Sequence, residues 1–261
     1  MLIIALMKIA SSNIRFENPA DGPNDWPLRR DLWRNMISQF SPWILGTQEG
    51  RRPQLEDVAT LLGEFNLVSD HREWIEERMY PCLFYDESKV DLLRSGDSWL
   101  SQTPEVPGSK SFDSAFPRLC TWAEFKLKSY GLELFVVNTH LDHMQAHTRA
   151  HQISVLLHCI KKENSRDLPL ILMGDFNEDP FGEVRQSINQ HMPSLIDPWF
   201  QLNLPEESSH HKFSGHNPEG SRIDWILVDG IFKPKSIELD KSSNGNTWPS
   251  DHFMVKLELK L

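Results

Sequence analysis

Apolar residues along the chain recur in two rhythms, and these predict the elements. Leu28, Leu32, Trp33, Met36, Ile37 and Phe40 return at helical spacing, which predicts a helix over Leu28–Phe40. Ile153, Leu156, Leu157 and Ile160 share one face of a second helix, Gln145–Lys162, and a third is expected near Leu55–Phe65. Apolar runs at Met7–Ile14, Trp43–Gln48 and Leu168–Met173 read as buried strands. Leu119, Thr121, Ala123, Phe125 and Leu127 alternate with Cys120, Trp122, Glu124, Lys126 and Lys128. The turn Ser129-Tyr130-Gly131 then leads into Leu132–Asn138, which predicts a hairpin. Two more strands are expected at Arg222–Val228 and Phe253–Leu259; in the last, Phe253, Val255, Leu257 and Leu259 alternate strictly with Met254, Lys256 and Glu258. Helices set among mainly antiparallel strands imply an α/β sandwich, two sheets packed face to face with helices on their outer faces. No repeat or low-complexity linker interrupts residues 1–261, so they read as one domain. Ser101–Pro117 and Pro205–Ser221 are long loops within it, of a length that is usually functional or mobile.

Composition narrows the class. Lys and Arg total 27 against 37 Asp and Glu, a formal net charge of −10. That balance argues against a protein whose main task is gripping nucleic-acid phosphates, and it suits carboxylates gathered around a cation. A chain of 261 residues buries about three quarters of its unfolded surface and needs no covalent staple. Cys82, Cys120 and Cys159 form no CxxC pair, so a reducing, cytoplasmic location is expected. The opening Met1–Leu6 is apolar but short and lacks a basic flank and a cleavage site, which reads as the lead-in to a first strand. No run approaches the roughly 20 apolar residues of a transmembrane helix, and no obligate protein partner is evident.

The informative feature is where the polar residues fall. Each expected strand stays apolar until its C-terminal end, where acids, amides and histidines appear. The first releases Asn13, the second Gln48-Glu49, and the hairpin strand Asn138-Thr139-His140-Leu141-Asp142-His143. The next ends in Gly174-Asp175-Phe176-Asn177, another carries Asp224, and Ser250-Asp251-His252 opens the last. Gathered on one edge, such a set suits a hard cation, Mg²⁺ or Mn²⁺, which takes one or two carboxylates plus waters and a substrate phosphate.

The ordered strings Ser12-Asn13, Thr47-Gln48-Glu49, Asn138 to His143, Gly174 to Asn177, Arg222-Ile223-Asp224 and Ser250-Asp251-His252 resemble the endonuclease/exonuclease/phosphatase superfamily, with its DNase I-like fold. Trp99-Leu100-Ser101-Gln102-Thr103-Pro104 and Pro117-Arg118-Leu119-Cys120-Thr121-Trp122 are similar to a bacterial branch related to the nocturnin-like nucleases. The resemblance implies a four-layer sandwich and divalent-metal-dependent cleavage of a phosphate ester by an activated water. It implies that Glu49 and Asp251 hold the metal with Asn13 near it. Asp175 would orient or deprotonate the water, and Asn177 would help to hold that water and a phosphate oxygen. His140 and His252 would hydrogen-bond the phosphoryl group, and Asp224 would fix the His252 ring. A phosphodiester is the first expectation, with a phosphomonoester on the same site, or an inactive binding module, as alternatives.

Other motifs are softer. Arg118, at the head of a strand, is a candidate to reach a substrate phosphate, and Glu77 a candidate acid near the first histidine. His143, His147 and His151 fall at i, i+4 and i+8, which reads as a solvated stripe. Asp142 and His143 are expected at the site edge, His210, His211 and His216 in a polar loop, and Trp99, Trp225 and Trp248 as core or as a stacking surface. A dinuclear zinc hydrolase would need a histidine where Asn138 stands, and a calcineurin-like phosphatase would need strings this chain lacks. Without a Lys/Arg-rich stripe, a short nucleic acid, a nucleotide or a small phosphate ester is a better substrate than long DNA.

Overall fold

The structure, a computed structural model, describes residues 6–261. Of the apolar opening Met1–Leu6, all but Leu6 lies outside the described residues. Twelve strands and four principal helices follow in the order β1 Leu6–Asn13, α1 Trp26–Phe40, β2 Ile44–Arg51, α2 Arg52–Leu62, β3 Phe65–Leu67, β4 Met79–Asp86, β5 Val90–Trp99, β6 Leu119–Leu127, β7 Glu133–His140, α3 Ala146–Glu163, β8 Leu170–Asp175, α4 Glu183–His191, β9 Leu195–Ile196, β10 Asp224–Asp229, β11 Lys233–Asp240 and β12 Met254–Lys260. The strands build two six-stranded sheets, β11-β12-β1-β2-β4-β3 and β5-β6-β7-β8-β10-β9. In each, one central pair is parallel, β1 with β2 and β7 with β8, and every other pair is antiparallel.

Three apolar cores separate four layers. Met7 and Ile9 of β1, Leu134 and Val136 of β7, and Ile171 and Met173 of β8 meet between the sheets. Trp33 and Ile37 of α1 and Val58 of α2 pack on Ala10, Leu45 and Phe84 outside the first sheet. Ile153, Leu156 and Ile160 of α3 and Ile188 of α4 pack on Phe135, Val137, Leu170 and Leu172 outside the second. Odd and even positions of a central strand therefore enter different cores, which is why β1 and β8 read as continuous apolar runs. The four-layer sandwich with mainly antiparallel sheets agrees with the sequence expectation.

Boundaries and omissions have local causes. The helix expected near Leu55–Phe65 runs over Arg52–Leu62, because Gly63 closes it at φ 48° and Phe65 already pairs with Asp86. β4 holds Pro81, a residue that argues against a central strand, yet Pro81 faces the register shift between Thr47 and Gly50, where the ladder is already broken. β5 and β11 carry charged, half-exposed sequences at sheet edges, so neither shows a buried alternation. Cys82, Cys120 and Cys159 are buried and unpaired. No helix among the described residues is long and apolar enough to cross a membrane.

Candidate active site

Strand register assembles the site. In the second sheet β7 runs parallel to β8 with His140 opposite Asp175, and β10 runs antiparallel to β8 with Asp224 opposite Asp175. Histidine and two carboxylates thus stand in a row on three adjacent strands. In the first sheet β1 ends at Asn13, β2 ends beyond Glu49, and Asp251 and His252 precede β12, which lies beside β1. Parallel strands contribute their C-terminal ends, whereas Asp224 begins the antiparallel β10, so it belongs to a strand start and not to a strand interior as the sequence reading had it. Two backbone features turn side chains inward. Glu49 sits in the β2 register shift with a left-handed φ of 70°, which twists its carboxylate out of the ladder. Gly174 precedes Asp175 with φ 142°, where an added Cβ would lie 2.0 Å from the Thr139 carbonyl oxygen, so only glycine lets β8 approach β7 there.

Buried polar ties hold the two sheets beneath this row. Gln48 Nε2 donates to Asn138 Oδ1 at 2.7 Å, and Asn138 Nδ2 donates to the carbonyls of Thr47 and Cys82 at 2.8 and 2.7 Å. Arg29, fully buried on α1, donates to the carbonyls of Ile14, Arg15 and Pro249 and so pins the chain after Asn13 to the chain before Ser250. Ser250 Oγ donates to the Asn13 carbonyl at 2.6 Å. The Pro205–Ser221 loop is likewise tied in: Ser209 Oγ accepts from the Ile223 and Asp224 amides, and His211 and Lys212 amides donate to the Asp251 carbonyl.

The side chains converge on a cavity of about 530 Å³ lined by Glu49, His140, Asp175, Asn177, Asp251 and His252, with Arg118, His143 and Glu77 at its walls. Asn13 Nδ2 donates to Glu49 Oε1 at 3.1 Å and to Asp175 Oδ2 at 3.0 Å, bridging the acids as a donor. Asp175 Oδ1 accepts the Asn177 amide at 2.9 Å, and Asn177 Nδ2 donates to the Leu141 carbonyl at 3.0 Å. His140 Nε2 lies 3.4 Å and His252 Nε2 4.0 Å from Asp175 Oδ2. His252 Nδ1 is 2.8 Å from Asp224 Oδ2. His210, on the long loop, stacks on His252 with ring centroids 4.4 Å apart, and its Nε2 is 3.7 Å from Asp251 Oδ2.

Electrostatics set these groups apart. Burial, then the neighbouring Asp224 carboxylate, pushes the Asp175 carboxyl up to about 7, against the pull of His252. Burial alone would lower His252, but Asp224, Asp175 and Asp251 overcome it and hold the imidazole well above its ordinary range, protonated at neutral pH. His140 is the reverse case: burial, with the charges of Arg118, His252 and His143 added, takes it well below that range and keeps it neutral. Asp251 is held low despite its burial by His210 and His252.

The donor set fits a hard divalent cation. Carboxylates of Glu49, Asp175 and Asp251 face one cavity, an oxygen-donor set of the kind such ions take. Asp251 with His210 and His252, and Asp175 with Asp224 and His252, also bring donor atoms within 4.8 Å of one another. Each predicted site residue therefore reaches this end of the sandwich. Asp142 does not enter the cavity. It is buried and accepts from the amides of Ala115, Met144 and Gln145, knotting the Ser101–Pro117 loop to the start of α3. His147 and His151 are solvent-exposed, as a solvated stripe requires. Trp99 and Trp225 are core, and Trp248 packs on His211 and Phe253. The aromatic walls are instead Phe16 and Phe116, which the sequence reading missed together with Arg15, Arg51, Arg78 and His210. Their only sequence signal is adjacency: Arg15-Phe16 follow Asn13, Arg51 follows Glu49-Gly50, and Phe116 precedes Pro117-Arg118.

Known structures share this arrangement of strands. An endonuclease/exonuclease/phosphatase family protein from Bacteroides thetaiotaomicron is 30% identical over 98% of this chain and 97% of its own, with a TM-score of 0.86. A mannosyl-6-phosphatase from Bacteroides thetaiotaomicron VPI-5482 is also 30% identical, covering 98% of this chain and 100% of its own at a TM-score of 0.85. The human Nocturnin catalytic domain, with bound sulfate, shares the fold at 20% identity, 98% and 93% coverage and a TM-score of 0.76. No curated protein matches the sequence. The profile of the Endonuclease/Exonuclease/phosphatase family matches residues 10–252, and the chain belongs to that family.

Proposed function

We propose that residues 10–252 act as one catalytic unit, a divalent-cation-dependent phosphoesterase that hydrolyses a phosphomonoester of a small molecule. The observation that carries this reading is the hydrogen-bonded row Glu49, Asn13, Asp175, flanked by neutral His140 and protonated His252 on the floor of one cavity. Of the two reactions expected from the sequence, the site favours the monoester over the diester. A monoester brings about two negative charges at neutral pH, and two cations stand at the cavity floor to meet them, His252 and the buried Arg118. The 30% identical relative named as a mannosyl-6-phosphatase supports the same choice.

Glu49 and Asp251 would hold Mg²⁺ or Mn²⁺ with Asn13 beside them, and such an ion supplies Lewis-acid neutralisation of a phosphoryl oxygen. Asp175 orients the attacking water and takes its proton, as a carboxylate within reach of the water can. Asn13 and the Asn177 amide hold Asp175 on both oxygens, and the Asn177 side chain lines the cavity where water and a phosphate oxygen would sit. His252 turns Nδ1 to Asp224, which leaves Nε2–H to donate to the phosphoryl group as charge builds up. His140 donates from a neutral ring, and Arg118 adds a fixed charge beside it.

The test is hydrolysis of p-nitrophenyl phosphate and bis(p-nitrophenyl) phosphate with and without Mg²⁺ or Mn²⁺, with Asp175→Asn as the blank. Cation-dependent turnover that is faster on the monoester and absent from the variant is the expected outcome, together with a rise in Tm on adding the cation. Turnover of neither ester and no cation-induced stabilisation would leave an inactive binding module as the correct reading.

A further inference from the structure

The walls of the cavity hold charge that the reaction at its floor does not use. Most arginines among the described residues pair with a carboxylate. Of the exceptions, Arg29 caps backbone carbonyls and Arg34 projects into solvent from α1. The remaining three, Arg51, Arg78 and Arg118, all line this one cavity. Each has a buried Nε with no hydrogen-bond partner, and an unpaired buried donor is costly unless something is meant to fill it. Arg118 is only 6% exposed, and its one contact is a long 3.4 Å approach to His143 Nδ1. Glu76 and Glu77 line the same cavity, yet neither lies within ion-pair distance of these arginines. Arg51 is held in place by stacking on Phe16, its guanidinium 4.8 Å from the ring centroid.

We propose that Arg51 and Arg78 form a second anion subsite beside the Arg118 that serves the scissile phosphate, so that the substrate is a small molecule bearing a second phosphate besides the ester that is cleaved. The assignment rests on the phosphoesterase reading and deepens it. A guanidinium offers a planar fork of donors that matches phosphate oxygens. Arg118 stands against the floor, where its charge already acts on His140, Glu49 and Asp175. Arg51 lies opposite Met79 in the β2–β4 ladder, next to Arg78, and with Phe16 these residues line the same cavity, which offers a second phosphate partners besides Arg118.

Binding separates this proposal from the catalytic one. Calorimetric titration of the Asp175→Asn protein compares glucose 1,6-bisphosphate with glucose 6-phosphate, and adenosine 3′,5′-bisphosphate with adenosine 5′-monophosphate. The sugar and nucleotide arms share the second phosphate and differ in what carries it. At least one bisphosphate is expected to bind about tenfold more tightly than its monophosphate. Adding Arg51→Gln and Arg78→Gln together should bring that ratio to within about twofold of one. Ratios within twofold for both pairs before those changes, or a preference that survives them, overturn the subsite. Failure of p-nitrophenyl phosphate hydrolysis would overturn the reaction alone, because the binding ratios are read on a protein that cannot turn over.

Discussion

Asp97, half-buried, and Asp175, fully buried, are aspartates on strands of the second sheet, and their surroundings drive them in opposite directions. Burial works to raise the Asp97 carboxyl, but the Arg72 guanidinium, with hydrogen bonds from Arg72 and His71, brings it down to about 2. Arg72 spends all three of its nitrogens there: Nε and Nη2 on the two Asp97 oxygens at 2.6 and 2.7 Å, Nη2 also on Thr121 Oγ1 at 2.7 Å, and Nη1 on Cys82 Sγ. Asp175 has no cation of that kind in contact. It faces a second carboxylate across the ladder and shares one oxygen with an amide and two histidines. The difference teaches how to tell a structural polar cluster from a reactive one. A closed pair settles its charge internally, whereas an open cluster leaves charge for a ligand to settle.

Three substitution experiments can break or sharpen that contrast. The largest expected effect is on turnover: Asp175→Asn should cost about 10²–10⁴-fold in kcat, the usual worth of a positioned base, while leaving the metal-free fold at least as stable, since it removes one of two opposed carboxylates. A substantial loss of stability with kcat preserved would reverse the roles of the two aspartates.

Asp97→Asn should do the converse. It strands a buried guanidinium, so urea unfolding is expected to show a loss of about 3–5 kcal/mol, with kcat per folded molecule unchanged within about twofold. Near-native stability would mean that the Arg72 cluster is dispensable.

The smallest effect is the pH dependence of stability in the presence of a chelator. Asp97 has a depressed carboxyl, so its contribution is complete above the unfolded value of about 3.8 and disappears as pH falls through about 2, a loss of about 2 kcal/mol. Asp175 has a raised carboxyl, so the folded state binds its proton first, and stability should rise as pH falls from about 7 toward 4. Unfolding curves for the parent and the two Asn variants isolate each limb. A parent curve whose slope above pH 4 matches that of Asp175→Asn would remove the argument for an unrelieved carboxylate.

Residue type and order along the chain already announced much of this protein. Helical spacing in Leu28–Phe40 and Gln145–Lys162 and strict alternation in Phe253–Leu259 are local signals, because burial repeats with the period of the element itself. Glu49, His140 and Asp175 at strand ends, with Asp251 and His252 ahead of the last strand, were legible as an ordered set and not singly, because each has an ordinary structural alternative but six strands repeat the pattern. Edge strands β5 and β11 left no such trace, since only one side of an edge is paired and half of its residues face water. Nor did most of the cavity walls: Arg118 and Glu77 were candidates from the sequence, but Phe16, Arg51, Arg78 and Phe116 look like ordinary polar or surface positions until the chain is folded.

What tertiary structure alone decided is which of those residues meet, and in what charge state. Asp224 and Asp175 are 49 positions apart, and only antiparallel register sets them opposite each other. His140 and His252 are the same residue type and both buried; burial, with the charge of Arg118 added, keeps the first neutral, whereas the Asp224 carboxylate overcomes burial and keeps the second protonated. Composition and spacing determine which groups are available. Their protonation depends on distances of 3–4 Å between residues remote in sequence, and Coulomb interactions in a buried site change steeply over that range.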